Sequence, residues 1–271
     1  MTPSELQLYL SQINLPRPDS HKGQNGKVMV IGGSELFHAA SQWSLLVVSR
    51  MVDMVFYSSV PENNDLIKES KEHFHNGIVV PRENVEDYIQ EADVVLIGPG
   101  MVRNDETEKI TTHLLSKYPN EKWVIDAGAL QMIDPKLFTN KTIITPHHQE
   151  YAWLLEKVGR KNTEGYPFAE LSEHPTILLK GKVDEVFNAE QKILVEGGNE
   201  GMTKGGTGDV LAGLVAGLYA FTDNPFAAAV VASYVNKHAG DELYKTVGPF
   251  FNSTDLANQI PKTLAKTFAI V

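Results

Sequence analysis

The chain has 271 residues, of which 42% are apolar and 21% are charged, and its formal net charge is -10. This composition is ordinary for a soluble globular protein and unlike that of a disordered chain. The acidic balance argues against general nucleic-acid binding, which needs a basic face. The lack of cysteine excludes disulfides and cysteine nucleophiles. With neither a signal-peptide core nor an unbroken membrane-spanning run, the sequence predicts a cytoplasmic protein without membrane contact.

Short apolar runs alternate with helical stretches along most of the chain. Most of the runs are continuously apolar, which is typical of strands buried on both faces, as in a parallel sheet covered by helices. The last two runs, joined by "AEQ", indicate a hairpin at the sheet edge. The predicted strands are 27–31, 54–60, 78–80, 93–97, 122–125, 142–144, 176–179, 185–188 and 192–195.

Helical patterns lie between and after these runs. Asn224 followed by Pro225 is a good pair for the cap and first turn of one helix. The alternation predicts an α/β fold, with a mostly parallel central sheet and helices on both faces, built as one domain over residues 1–271. Residues 163–168 are predicted to form a loop. The predicted helices are 36–52, 107–116, 149–158, 209–221 and 225–244.

Several glycine-rich or polar clusters follow the predicted strands. In open α/β sheets, ligands bind outside the carboxyl ends of the strands, so the clusters are informative as a set. Taken singly, each has a second interpretation: "GGS" and "GPG" as tight turns, Asp126 as a helix cap, and Lys180 as a surface lysine rather than a phosphate contact. The adjacent His147 and His148 are not expected to bind one metal ion together. The clusters are "GGS" at 32–34, "GPG" at 98–100, Asp126, "TPHH" at 145–148 and "KG" at 180–181.

The densest cluster is "TKGGTGDVLAG", at residues 203–213. It is not a P-loop, because the lysine precedes the glycines. Small residues directly before a helix nevertheless expose its first amides, which form a site for an anion. Asp209 either complements the helix dipole or accepts a proton from a hydroxyl that attacks a phosphoryl group, and we favour the second interpretation. Lys204 either adds charge to this site or points into water, and we favour water.

Taken together, these motifs resemble one family. The motifs "SHKGQNGKVMVIGGS", "GPG", "TPH", "LKG", "NEGM" and "GGTGDVLAG" follow one another in family order over almost the whole chain. They resemble the ADP/ATP-dependent NAD(P)H-hydrate dehydratases of the ribokinase-like superfamily. The resemblance implies repair of NADHX and NADPHX, the hydrated forms of NADH and NADPH. A nucleotide phosphorylates the ring hydroxyl, and phosphate is then eliminated.

The resemblance also implies a role for each matching residue. Asp209 is the base, with Gly205, Gly206, Thr207 and Gly208 as the anion hole. Lys180, Gly181 and Gly208 face the nucleotide, while Ala40, Gly100, His147 and Asp209 meet the hydrated dinucleotide. The co-substrate is ADP or ATP, Mg²⁺ is the expected cofactor, and a homo-oligomer is expected because the family is often tetrameric.

Two other functions remain open from the sequence. A ribokinase-like kinase that phosphorylates a small alcohol or vitamin precursor would use the same Asp209 and stop at the phosphate ester. A nucleotide-binding regulator without catalysis would not need the intact "GGTGD". The chain also departs from the pattern usual in the family, for example at Gly128, where a second aspartate is common, and at Glu200, where proline is common.

Overall fold

The computed structural model describes residues 1–72, 74–160 and 165–269. Within them, nine strands, numbered β1 to β9 along the chain, form one sheet. The strands lie side by side in the order β3-β2-β1-β4-β5-β6-β7-β8-β9. Strands β1 to β7 are parallel, and β8 and β9 continue the sheet as an antiparallel hairpin. The strands are β1 Lys27–Ile31, β2 Met54–Ser58, β3 Ile78–Val79, β4 Val94–Ile97, β5 Trp123–Ile125, β6 Thr142–Ile144, β7 Thr176–Leu179, β8 Asp184–Phe187 and β9 Lys192–Val195.

Helices cover both faces of the sheet. Alternate residues of the central strands point to opposite sides, so Val28 and Val30 belong to one apolar core, and Met29 and Ile31 to the other. The first core is closed by α1, α2, α8, α9 and α10, and the second by α4, α5, α6 and α7. The helices are α1 Pro3–Leu10, α2 His38–Val48, α3 Pro61–Glu69, α4 Val85–Ile89, α5 Asp105–Lys117, α6 Ala127–Met132, α7 His148–Lys157, α8 Thr207–Tyr219, α9 Pro225–Val247 and α10 Ser253–Thr267.

The predicted strands are confirmed with small shifts at their ends, and the five predicted helices correspond to α2, α5, α7, α8 and α9. Asn224 caps α9 through its side chain, as predicted. Helices α1, α3, α4, α6 and α10 were not predicted from the sequence. They are short or polar, and α10 contains Pro261, which ordinarily interrupts a helix. Part of the loop predicted at 163–168 lies outside the described residues.

The apolar stretch around α8 and α9 forms two buried helices, as the sequence predicts. Nearly every side chain of α8 after its first turn is buried, because α8 lies between the sheet and the neighbouring helices. Across the described ranges, no helix combines the length and the apolar character needed to cross a membrane.

The motif "SHKGQNG" has a structural explanation at the amino end of β1. The backbone N–H groups of Gly23 and Asn25 donate to Oδ2 of Asp53 over 2.6 and 3.1 Å. The side chain of Asn25 adds a hydrogen bond to the same carboxylate, and this bond is the main reason why the pKa of Asp53 lies below its usual value. Gly23 has φ +91°, which favours glycine. The motif therefore closes a turn at the amino ends of the strands, whereas the predicted site lies at their carboxyl ends.

Helices α2 and α8 approach each other most closely at Gly213. A Cβ at this position would lie 2.7 Å from the backbone oxygen of Ser44 and 2.8 Å from its Cα. One turn later, a Cβ at Gly217 would instead meet the side-chain sulfur of Met51. The first contact is with rigid backbone, whereas the second is with the flexible end of a side chain. The register of α8 against α2 therefore depends on Gly213.

We expect Gly213→Ala to lower the free energy of unfolding by about 1–3 kcal/mol, because the two helix backbones must separate. The matched variant Gly217→Ala should cost less, since Met51 can turn aside and alanine favours a helix over glycine by about 1 kcal/mol. Urea unfolding followed by circular dichroism measures both. Equal losses for the two variants would contradict this account of the helix contact.

Candidate active site

The glycine loops after β1 and β4 meet at the point where the strand order reverses. The N–H of Gly33 donates to the backbone oxygen of Pro99 over 2.7 Å, which joins the two loops. Gly100 has φ +76°, and a Cβ there would lie 2.5 Å from the Phe37 oxygen and 2.9 Å from the Cβ of Ala40. Ala40 and Gly100, both predicted to bind substrate, are therefore neighbours. Ligands of open α/β sheets bind at such a reversal point.

The ends of β5, β6 and β7 bring three polar side chains together. Oδ1 of Asp126 accepts a hydrogen bond from Oγ1 of Thr145 and one from Nζ of Lys180, each over 2.8 Å. The side chain of Asp126 is 2% exposed and that of Lys180 is 19% exposed. Asp126 occupies the cap position of α6 but makes no capping hydrogen bond with its side chain. Its carboxylate thus serves the strand-end cluster rather than the helix.

The charge on Lys180 is held by the carboxylates around it. Burial alone would lower the pKa of this lysine. The negative charges of Asp126, Glu150 and Asp209 outweigh burial, and the pKa lies above its usual value. Lys180 is therefore a permanent positive charge at the carboxyl edge of the sheet.

Helix α8 begins at this edge without a side-chain cap. Gly206 occupies its cap position with φ +95°, so no side chain is available there to accept from the first amides. Gly208 lies in the first turn, where a Cβ would be 3.4 Å from Nζ of Lys180. The free helix end and the ammonium group therefore face the same space, and both favour an anion.

Asp209, in the same turn, is the carboxylate with the most strongly perturbed acidity at this edge. Burial and, after it, the negative charge of Asp126 raise the pKa of Asp209 to about 7, although Lys180 acts in the opposite direction. Its backbone oxygen accepts a hydrogen bond from Oγ of the buried Ser44 over 2.7 Å, which fixes this turn against α2. A carboxylate with a pKa near 7 is well suited to accept a proton at neutral pH.

The three predicted nucleotide contacts, Lys180, Gly181 and Gly208, line one cleft of about 660 Å³. The cleft lies between the end of β7, the start of α8 and the middle of α9, and its size is typical of small-molecule sites. A second cleft of about 680 Å³ lies near the amino ends of the strands, beside Asn25 and Lys122. It contains none of the predicted site residues.

His147 lies next to Lys180, because their backbones form an isolated parallel bridge. Its Nδ1 accepts hydrogen bonds from the backbone N–H groups of Gln149 and Glu150, so the ring caps α7. Glu150 completes the capping box by accepting from the N–H of His147 over 2.9 Å. Glu150 thus lies in the first turn of α7, as the sequence predicts. The His147 side chain remains 51% exposed.

The loop before α8 is held by the segment that leads into α10. Nζ of Lys204 donates to the backbone oxygens of Pro249 and Phe251. Oγ of Ser253 donates to the backbone oxygen of Gly205 over 2.7 Å. The interpretation that Lys204 points into water is therefore wrong, because its ammonium group fastens the glycine loop. Sequence reasoning missed Ser253 and Ser44, since neither carries a motif.

Comparison with known proteins places this chain in a family. The family model described as NAD(P)H-hydrate dehydratase matches residues 28–262. The bifunctional NAD(P)H-hydrate repair enzyme Nnr of Methanocaldococcus jannaschii is 36% identical over 253 residues, which are 91% of this chain and 49% of that protein. The ADP-dependent (S)-NAD(P)H-hydrate dehydratase of Nitrosopumilus maritimus is 32% identical over 267 residues, covering 92% of this chain and 91% of that protein. The chain spans about half the length of the first curated relatives that it matches.

Solved structures agree on the fold. A ribokinase-like superfamily protein from Enterococcus faecalis superposes with a TM-score of 0.83 at 25% identity, over 97% of this chain and 94% of that one. An ADP/ATP-dependent NAD(P)H-hydrate dehydratase from Bacillus subtilis, co-crystallized with ATP and Mg²⁺, superposes with a TM-score of 0.77 at 19% identity, over 97% of each chain. The fold is therefore ribokinase-like, and the chain belongs to the NAD(P)H-hydrate dehydratase family.

Proposed function

We propose that the protein restores NADH and NADPH from NADHX and NADPHX by nucleotide-dependent dehydration. The observation that carries the proposal is that Asp209, in the uncapped first turn of α8, lies within electrostatic reach of Lys180, which lines one cleft together with Gly208. A base, a fixed cation and free amides are what transfer of a phosphoryl group to a hydroxyl needs. ADP is the proposed donor, since the N. maritimus relative is named for it.

In the proposed reaction, Asp209 accepts the proton of the ring hydroxyl as its oxygen attacks the terminal phosphorus of the nucleotide. The new O–P bond forms while the bond to the leaving nucleotide breaks, and AMP leaves when ADP is the donor. The C–O bond then breaks, its electrons leave with phosphate, and loss of a proton from the neighbouring ring carbon forms the double bond of the reduced ring. We assign the phosphate cradle to Lys180 and the residues 205–208, and the contacts to the hydrated ring to Ala40, Gly100 and His147.

Magnesium fits this site only together with a nucleotide. Within the residues that the structure describes, no group of three or more His, Cys, Asp or Glu side chains is arranged to hold a metal ion. Mg²⁺ commonly binds one or two carboxylates and completes its shell with phosphate oxygens and water. Asp126 is the carboxylate that would help to hold it, and the ion would neutralise charge on the phosphates.

We infer further that residues 1–271 act as one domain, because the described residues share a single sheet with one apolar core on each face. The family resemblance supports a homo-oligomer. The acidic, cysteine-free composition supports a cytoplasmic protein that acts on small molecules and binds neither nucleic acid nor membranes.

The direct test is to incubate the purified protein with NADHX, Mg²⁺ and either ADP or ATP, and to follow the return of NADH absorbance. We expect recovery with ADP at a higher rate than with ATP, and no recovery without nucleotide. A stable phosphate ester without absorbance would instead indicate a kinase. No turnover with either nucleotide would overturn the proposal.

Replacing the base, Asp209→Asn, should lower kcat by about 10²–10⁴-fold, the usual contribution of a positioned acid or base. Nucleotide affinity should remain largely intact, which calorimetry can check.

The same variant, Asp209→Asn, should also change how stability depends on pH. The raised pKa of Asp209 means that the native state binds the carboxyl proton more tightly than the unfolded state does. The stability that this carboxyl group contributes is therefore lost as pH rises through about 7. At pH 8, the free energy of unfolding of the variant should therefore be higher than that of the natural protein. At pH 4 it should not be higher.

The rate should also depend on pH through the charges that face Asp209, namely Asp126, Lys180 and Glu150. Because Asp209 must be ionised to act as a base, kcat/KM should rise with pH through about 7. Asp126→Asn removes a negative charge and should move this rise to lower pH.

The control variant for this profile is Glu91→Gln. It removes a negative charge that pairs with Lys27 at the amino end of β1, remote from the cleft. It should leave the pH profile unchanged. An unshifted profile in Asp126→Asn would show that Asp126 does not set the acidity of Asp209.

A further inference from the structure

The cleft that contains Lys180 and Gly208 also holds a buried polar group without a partner. Asn236 lies on α9, is 5% exposed and lines the cleft. Its Oδ1 is buried and accepts no hydrogen bond from any described residue. The Nδ2 of the same carboxamide likewise donates to none of them. Buried amides are nearly always paired in native proteins, so this one needs an explanation.

The polar side chains next to Asn236 in the cleft wall have hydrogen-bond partners within the chain. Asp184 accepts from the N–H of Gly181 over 2.9 Å and from Oγ of Ser233 over 2.7 Å. Nζ of Lys237, the next residue on α9, donates to three backbone oxygens, including that of Gly197. Every one of these groups is satisfied within the chain. Among the described residues of this wall, Asn236 differs from these groups because its side-chain oxygen Oδ1 is buried without a hydrogen-bond partner.

A carboxamide offers an acceptor and a donor side by side. Adenine offers the complementary pair, an exocyclic amino group next to a ring nitrogen, and asparagine pairs with adenine in this bidentate way in nucleic-acid complexes. Phosphate oxygens only accept hydrogen bonds and would leave Oδ1 unpaired. Leu211 and Met202 line the same cleft and supply apolar surface for a flat ring.

We propose that Asn236 reads the base of the bound nucleotide. Its Oδ1 accepts from the amino group of adenine, and its Nδ2 donates to the adjacent ring nitrogen. The inference rests on the nucleotide-dependent reaction proposed above and assigns the residue that selects adenine as the base of the donor.

The test measures binding of three nucleotides by calorimetry, with no hydrate present. They are ADP, 2′-deoxy-ADP and the diphosphate of purine riboside, in which hydrogen replaces the amino group. The natural protein should bind ADP about tenfold more tightly than the purine riboside nucleotide, because the latter leaves Oδ1 unpaired. In Asn236→Leu this preference should fall to about twofold or less through weaker binding of ADP, since the hydrogen bond is gone.

Thermal unfolding of the nucleotide-free variant separates a binding role from a structural one. Replacing an unpaired buried amide with an apolar group of similar shape is neutral or stabilising. The midpoint of Asn236→Leu should therefore equal or exceed that of the natural protein, and Asn236→Ala should show the same loss of base preference. Asn258→Leu, which changes an exposed amide on α10 that pairs with Arg50, should keep the preference for ADP.

Retention of the full preference for ADP in both Asn236 variants would overturn the proposal. So would a loss of preference between ADP and 2′-deoxy-ADP alone, which would place the amide at the ribose. Failure of the natural protein to bind any of the three nucleotides would also overturn it. Base selection that depends on Asn236 in a protein that does not turn over NADHX would support the inference while refuting the proposed reaction.

Discussion

One positive charge, the partly buried ammonium group of Lys180, makes the charge arrangement of this site possible. Three carboxylates, those of Asp126, Glu150 and Asp209, act on it from neighbouring elements. Without a positive charge among them, carboxylates in a poorly solvated space repel one another, and their ionised forms are disfavoured. The same lysine opposes the rise in the pKa of Asp209, which burial and Asp126 bring to about 7. In the proposed reaction, a nucleotide would add further negative charge at these strand ends, and Lys180 and the start of α8 would offset it.

The parallel sheet is the reason why these residues meet. Asp126, Thr145 and Lys180 follow β5, β6 and β7, which are adjacent in the sheet although 54 residues separate the first from the last. Parallel strands place their carboxyl ends along one edge, so strand-end side chains from distant parts of the chain converge there. The strands are parallel because both faces are covered by helices, which their continuously apolar sequences require. Burial of the core thus determines where the chemistry can occur.

The sequence predicts the strands well because runs such as "KVMVI" and "DVVLI" have few alternatives to a buried strand. It also predicts the cluster of Lys180, Gly208 and Asp209, since glycines before an apolar helix have a direct physical meaning. It does not predict that Asp126 binds Lys180 rather than capping α6, because that depends on the sheet order. Nor does it predict Asn236 or Ser253, whose roles depend on contacts between helices far apart in the chain. The sequence likewise does not show why position 128 is glycine. A Cβ there would lie 2.1 Å from the backbone oxygen of Met101, a contact that only the structure shows.

Three features of the candidate site each lower the stability of the protein without ligand. Helix α8 begins without a side-chain cap, Asp209 carries a pKa raised by burial, and Asn236 has an amide without a partner. Selection for stability alone would replace each of these features, since capping residues, solvated carboxylates and apolar side chains are all available alternatives. In the proposed complex, each would be relieved by a different part of the substrates: phosphate at the helix end, the hydroxyl proton at the carboxylate and the nucleotide base at the amide. Because a ligand that binds only the native state stabilises it by mass action, binding of the proposed substrates would offset the stability that these three features cost.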